Sequence, residues 1–253
     1  MVARLKLPFR HRAARPSPDA MTLAEHLTEL RRRVIVCLLT IAVAAVVSWI
    51  VFPHVLHFLQ SPYCHTAGPR RCKFLVTDPL GGLSLRVKLS MYGALFLASP
   101  VILWELWRFI TPGLNANEKR YAIPFVAASL LLFIGGAVLA YYSFPHALSF
   151  LQGVGGPTLQ QIYDPNKYLG LIVALMTVFG LTFEFPVVLV SLELAGVLSP
   201  ARLKSWRRWA IVLIVVFAAV ITPSGDPFSM LALAVPMYLF YELSIVLGRL
   251  LRR

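Results

Sequence analysis

Negative charge is scarce in this chain. Eleven Asp and Glu stand against 24 Lys and Arg in 253 residues, for a net charge of +13. Charged residues of both signs make up only 14% of the chain while hydrophobic residues make up 58%, so the polar surface that a soluble domain of this size requires is missing. Cysteine is nearly absent too, at three residues, which leaves room for one disulfide at most. Several chemical signatures are lacking altogether. There is no His-Glu-x-x-His, no Gly-x-Ser-x-Gly and no Walker lysine loop, and none of the six His lies deep within an apolar run. Intramembrane proteolysis and ATP hydrolysis therefore have no visible apparatus, and no cofactor is expected.

What the chain has instead is six long apolar stretches, approximately Val34–Phe52, Leu89–Trp107, Tyr121–Ser143, Tyr168–Ala195, Trp209–Thr222 and Phe228–Leu247. A bilayer core about 30 Å thick needs roughly 20 apolar residues at about 1.5 Å rise each. A mean hydropathy of +0.73 agrees. The expected fold class is an all-α polytopic membrane protein with six spans, of which the last two are short.

Charge predicts the orientation. With both termini inside, the inner segments hold 18 of the 24 Lys and Arg, from Arg4 through Arg31, Arg32 and Arg33, Arg108, Lys119 and Arg120, Arg202 to Arg208, and Arg249 to Arg253. The outer loops keep six: Arg70, Arg71, Lys73, Arg86, Lys88 and Lys167. Short cytoplasmic loops retain positive charge, so both termini are expected in the cytoplasm. In a soluble protein this charge would suggest nucleic acid; beside anionic headgroups it is topogenic, and no nucleic-acid partner is expected. Residues 1–21 read as a disordered basic tail, 22–248 as the membrane domain and 249–253 as a basic cytoplasmic C-terminus. The tail is not a cleavable signal, because its charged region runs on to residue 33.

Cys37 lies within the first span and reads as a small apolar filler. Cys64 and Cys72 fall in the first outer loop around a Gly68-Pro69 turn, where an oxidising exterior predicts a disulfide. The competing reading is a metal site using His54, His57, His65 and these thiols. Their irregular spacing matches no established ligand pattern.

The remaining carboxylates occupy unusual positions. Thr22-Leu23-Ala24-Glu25 is a capping box that starts a helix. Leu23, Leu27, Leu30 and Val34 then form one apolar stripe, with Glu25 and Glu29 pointing away from it toward the cytosol. Periodicity alone favours a plain account in which Glu29 pairs with Arg33 four residues on, for about 0.3–0.5 kcal/mol. In the loop from Trp107 to Tyr121, Asn117 is placed to cap the third helix with Glu118 in its first turn. The functional reading makes Glu118 an exposed anion flanked by Phe109 and Pro112. In the fourth span Glu184 stands inside an apolar run, with Thr177 and Ser191 at sevens from it, and Pro186 frees the carbonyl of Thr182. Intramembrane charge costs about 2.5–3.5 kcal/mol, so Glu184 is expected to be neutral, hydrated or paired. Either it bonds a neighbouring helix or it carries function. Trp209–Thr222 is only 14 residues, about 21 Å of helix, so the membrane must thin beside it or another protein must shield its ends.

Taken together these residues resemble the TatC family, the multispanning receptor component of the twin-arginine protein translocase, over about nine-tenths of the chain. The resemblance rests on His26-Leu27-Thr28-Glu29-Leu30-Arg31, Ser99-Pro100-Val101-Ile102, Phe109-x-x-Pro112-x-Leu114-x-x-x-Glu118-Lys119-Arg120, Phe183-Glu184-Phe185-Pro186, the short fifth span and Pro236-Met237-Tyr238. It implies a concave cup of six helices in the plasma (inner) membrane, whose cytoplasmic rim binds signal peptides bearing two consecutive arginines. The family's signal-contacting acids correspond to Glu29, with His26 and Leu30 beside it, and to Glu118. Its loop aromatic and proline correspond to Phe109 and Pro112, its buried acid to Glu184 with Thr177 nearby, and its outer-loop positions to Pro62 and Asp226. The partners implied are single-span TatA and TatB subunits along the fifth and sixth helices, further copies of the chain itself, and folded cargo driven by the proton gradient. The basic tail before Thr22 and the Cys64–Cys72 pair depart from the family pattern, and Glu105 and Glu193 have no role in it. The alternative function is a small proton-coupled transporter with Glu184 as carrier site. That class often shows inverted repeats, and the two three-span halves are not convincingly alike.

Overall fold

The computed structural model describes residues 23–67, 74–76, 78–110, 122–156, 163–194 and 196–251, and among them every regular element is a helix. These are α1 (Leu23–Ala67), α2 (Gly81–Ile110), α3 (Ala122–Val154), α4 (Pro165–Thr182), α5 (Phe185–Leu194), α6 (Pro200–Ser205), α7 (Arg207–Ile221) and α8 (Pro227–Leu251). Among the described residues five segments are long and apolar enough to cross a membrane: Leu27–Cys64, Gly81–Phe109, Ile123–Val154, Pro165–Leu194 and Pro227–Leu250. The fourth of these is α4 and α5 together.

Two sequence expectations need correction and a third holds. The helices outrun the apolar stretches: α1 has 45 residues, about 67 Å, more than twice the thickness of a bilayer core. The sixth apolar segment is not short, since α8 has 25 residues. The fifth is short, and α7 with its 15 residues falls outside the five candidate spans.

The helices run on through their internal prolines because the carbonyls these leave unpaired find other donors. A proline frees the carbonyl four residues before it, and in a membrane that carbonyl must find another donor. In α1 the carbonyl of Trp49, freed by Pro53, accepts from Arg86 Nη2 of α2 at 3.2 Å. The Arg86 guanidinium also lies 4.4 Å from the Trp49 ring centroid. The carbonyl of Phe58, freed by Pro62, accepts from the Tyr141 hydroxyl of α3 at 3.0 Å, and the two rings stack at 4.5 Å. In α2 the carbonyl of Phe96, freed by Pro100, accepts from Ser99 Oγ at 2.7 Å. With these donors supplied, each helix continues.

Packing runs antiparallel through small residues. α1 and α2 meet along Ala44, Ser48, Ala94 and Ala98, all buried. α3 and α4 approach closely because each offers a glycine to the other's phenylalanine: a Cβ on Gly136 would stand 2.6 Å from the Phe179 carbonyl, and one on Gly180 would stand 2.9 Å from the Phe133 ring. Small residues permit such approach where no water drives association. At the end holding the first turn of α4, Tyr63, Phe74, Tyr163 and Tyr168 form one aromatic cluster with centroids 5.0–6.2 Å apart. Elsewhere large apolar side chains face outward, as Val220 (81% exposed) and Leu131 (72%) do. Water would penalise that surface; lipid does not.

Candidate functional site

The N-terminal part of α1 and the C-terminal part of α2 lie side by side at the end of the bundle rich in Arg and Lys. Here Arg33 joins two acids on two helices. Its Nη2 pairs with Glu29 Oε1 one turn earlier, and its Nη1 donates to Glu105 Oε2 at 3.2 Å and to the Glu105 carbonyl at 3.3 Å. The Arg33 side chain is 12% exposed, against 23% for Glu29 and 15% for Glu105. The expected Glu29–Arg33 pair is therefore present, and Glu105, which had no role in the sequence pattern, completes a triad. The face carrying Glu29 packs onto α2 instead of turning to the cytosol, while the stripe of Leu27, Leu30 and Val34, expected to face lipid or protein, is exposed. The cause is Glu105: a guanidinium bridging two carboxylates holds the polar face against its neighbour.

Leu30 is exposed beside this triad, and Phe109 is half-buried near the C-terminus of α2. α1 begins at Leu23, directly after the expected capping residue. Thr22, Pro112, Asn117, Glu118 and Cys72 lie outside the described residues, as do the side chains of Glu25 and His26.

The fourth apolar segment is broken where its acid sits. α4 ends at Thr182 and α5 begins at Phe185, with Phe183 and Glu184 in a turn between them. Pro186 is absorbed as the second residue of the new helix, a position where its missing N–H costs little. The Glu184 carbonyl accepts from Val187 N and Val188 N, both at 3.1 Å, and starts α5. The break undoes the expected polar stripe. Thr177 donates to the Val173 carbonyl at 2.8 Å and Ser191 to that of Val188 at 2.7 Å, so each hydroxyl serves its own helix. The group facing Glu184 comes from α3 instead. Ser129, fully buried, accepts from the Trp107 indole N–H at 2.8 Å and presents its hydroxyl to the Glu184 carboxyl. Among the described residues Glu184 Oε1 has no hydrogen-bond partner.

Glu184 also lines a half-open cavity of about 610 Å³ between α4 and α8, whose other walls include Val188, Leu203, Trp209, Ile214 and Tyr241. Among the described residues it is the one ionisable acid or base in that lining apart from the tyrosine. At the basic end Arg207 of α7 pairs with Glu242 of α8 at 2.5 Å, and Tyr238 donates to the same carboxylate at 3.1 Å. The Tyr241 hydroxyl donates to the Leu203 carbonyl at 2.6 Å, fastening α6 to α8. Trp206 and Trp209 are exposed at this level, as indoles at a headgroup boundary are. Glu193, also without a role in the sequence pattern, is fully buried where α5 packs on α8. A Cβ on Gly248 would overlap its carboxylate, at 1.5 Å from Oε2.

At the opposite end Asp226, 1% exposed, caps α8: its Oδ1 accepts from Ser229 N at 2.7 Å and its Oδ2 from Ser224 Oγ. Pro62 is buried and supplies the free Phe58 carbonyl described above. Cys64 is disulfide-bonded and Cys37 is free.

Sequence reasoning missed Ser129 and Arg207 as partners of acids, and Trp107 as the donor to Ser129, since each contact joins residues far apart in the chain. Arg33 was visible through its spacing to Glu29 alone.

A protein-family model described as Sec-independent protein translocase protein (TatC) matches residues 25–236. The Sec-independent protein translocase protein TatC of Frankia casuarinae is 43% identical over 256 residues, covering 97% of this chain and 70% of that protein. Its counterpart from Aquifex aeolicus is 36% identical over 236 residues, covering 92% and 97%. Among solved structures, the twin-arginine translocase receptor TatC superposes with a TM-score of 0.75 at 36% identity, covering 90% of this chain and 100% of that one. With a family model matched over most of its length and relatives well above 30% identical, this chain belongs to the TatC family of Sec-independent protein translocase proteins.

Proposed function

We propose that this chain is the receptor subunit of a twin-arginine translocase, set in the plasma membrane with six spans and both termini in the cytoplasm, where its basic end captures the signal peptides of folded cargo. Likeness to the twin-arginine translocase receptor over nine-tenths of the chain carries this reading. The triad around Glu29 supports it. A signal with two arginines calls for two presented carboxylates, because a guanidinium makes a forked contact that ammonium cannot copy. Glu29 is one such acid and Glu118 the other, with Phe109, Pro112, His26 and Leu30 as flanking contacts. Charge-assisted hydrogen bonds contribute about 1.5–3 kcal/mol each, which suits a receptor that must release what it binds.

The apolar part of the signal then lies along the cavity bearing Glu184, where an acid without a full complement of donors meets an otherwise apolar wall. Pro62 and Asp226 shape the outer end. TatA- and TatB-type single-span subunits cover the exposed faces of α7 and α8, and copies of the chain associate in the membrane. α7 spans about 22 Å, so partner helices or a thinned bilayer must meet it. The proton gradient drives transport, a charge crossing the membrane being worth about 2.3 kcal/mol per 100 mV. Family membership favours this reading over a small proton-coupled transporter working through Glu184.

A photoreactive amino acid at Leu30 tests the proposal. It is expected to crosslink a twin-arginine signal in membrane vesicles, and Glu118→Gln is expected to abolish that crosslink while the chain still inserts. Undiminished crosslinking in the variant would overturn the assignment.

A further inference from the structure

We propose that Arg33 sets the specificity of the signal-binding rim by acting as a resident guanidinium that an incoming arginine must displace from Glu29. The inference deepens the receptor reading and rests on it.

The geometry carries the argument. Arg33 uses its two terminal nitrogens on two different carboxylates, Nη2 on Glu29 and Nη1 on Glu105 at 3.2 Å. Glu29 is thus already engaged, in the resting protein, by the same chemical group that a twin-arginine signal presents. Binding at Glu29 is an exchange of one guanidinium for another, not the filling of an empty site. Glu105 makes the exchange feasible. When Glu29 turns to the signal, Arg33 keeps both the Glu105 carboxylate and the Glu105 carbonyl, at 3.2 and 3.3 Å, so no cation is stranded at a site only 12% exposed. The triad holds two anions and one cation.

Exchange of this kind discriminates between cations. A planar guanidinium replaces another at a carboxylate and can fork across both of its oxygens, whereas an ammonium offers a strongly hydrated point charge. Against an empty carboxylate lysine would be a fair ligand; against Arg33 it is a weak competitor. Selection by rejecting the wrong partner is a recurrent route to specificity. Arg33 therefore raises the threshold for every signal and raises it most for signals with lysine.

The test compares labelled synthetic signal peptides carrying Arg-Arg or Lys-Lys for binding to the full chain in lipid nanodiscs. The unaltered chain is expected to prefer Arg-Arg by about tenfold or more, a difference of about 1.4 kcal/mol. Arg33→Gln is expected to tighten Lys-Lys binding and to narrow the preference to about threefold or less, well under 1 kcal/mol. Glu105→Gln, which leaves Arg33 only Glu29 to hold, is expected to weaken Arg-Arg binding several-fold. If Arg33 only glued α1 to α2, its loss would lower the thermal midpoint and weaken both peptides alike, leaving their ratio unchanged. That result overturns the inference, as does loss of both peptides in a variant that remains folded. Arg33→Lys keeps the charge and is expected to narrow the ratio in the same way, so a poorly folding Arg33→Gln does not shelter the proposal. Failure of the unaltered chain to bind either peptide would sink the receptor reading itself; an unchanged ratio in a variant that still binds sinks this inference alone.

Discussion

α1 and the α4–α5 pair both carry proline in apolar surroundings and absorb it in opposite ways. α1 stands at the edge of the bundle, with 11% of its most apolar window buried in protein, against 56% for α4–α5. Its two internal prolines leave carbonyls that Arg86 and Tyr141 satisfy from neighbouring helices, and the helix runs on for 45 residues. α4–α5 instead stops at Thr182 and restarts at Phe185, and Glu184 stands in the gap. A proline with an outside donor makes a continuous element; a proline taken into the first turn of a new helix makes a break that can display an acid. The edge helix tolerates change on its outer side, and the central one does not.

The largest effect expected from breaking that contrast is at the α3–α4 seam. Gly136→Leu places atoms where the Phe179 carbonyl lies 2.6 Å from the first added carbon. It should cost about 3 kcal/mol or more, read as a lower thermal midpoint in detergent. Val43→Leu on the exposed side of α1 should change that midpoint little, and equal effects from the two would remove the contrast. Next in size is the outer end of α1. Cys64→Ser opens the disulfide and should cost about 2–3 kcal/mol if the closed loop is the short one to Cys72. Non-reducing mass spectrometry should find Cys64 joined to Cys72, and alkylatable thiols at both positions would defeat the pairing.

A smaller effect sharpens the account of proline. Tyr141→Phe leaves the Phe58 carbonyl without its donor and should cost about 1–2 kcal/mol. Pro62→Ala restores an N–H within α1, so Tyr141→Phe should be nearly neutral in that background. A double-mutant cycle showing coupling of about 1 kcal/mol confirms the link, and strict additivity refutes it. The smallest change in stability belongs to Glu184→Gln, within about 0.5 kcal/mol, because an amide keeps the size and can still meet Ser129. Export of folded cargo should nevertheless fall while signal crosslinking persists, and normal export would deny Glu184 a part in transport.

Much of this architecture was legible in the chain. Apolar runs marked each membrane-crossing segment because lipid demands about 20 apolar residues whatever the tertiary structure. Glu29–Arg33 followed from helical spacing, and Glu184 stood out because acids are rare in such runs. The lengths of α1 and α3 did not follow, since both helices continue through Pro53, Pro62 and Pro145 past the ends of their apolar runs. α8 was misjudged at its ends, where polar residues still belong to the helix. Glu105 and Ser129 escaped for another reason: Arg33–Glu105 spans 72 positions and Trp107–Ser129 spans 22, and no local pattern encodes such pairs. The α4–α5 break was half visible, as Pro186 announced a weak point without saying whether the helix would bend or end.

The unbroken run of α1 has a mechanical consequence. Between Glu29 and Cys64 it forms a strut about 50 Å long, tied near one tip to Glu105 and braced farther along by Arg86 and Tyr141. A displacement at the Glu29 tip of such a strut would lever on its braces to α2 and α3 farther along.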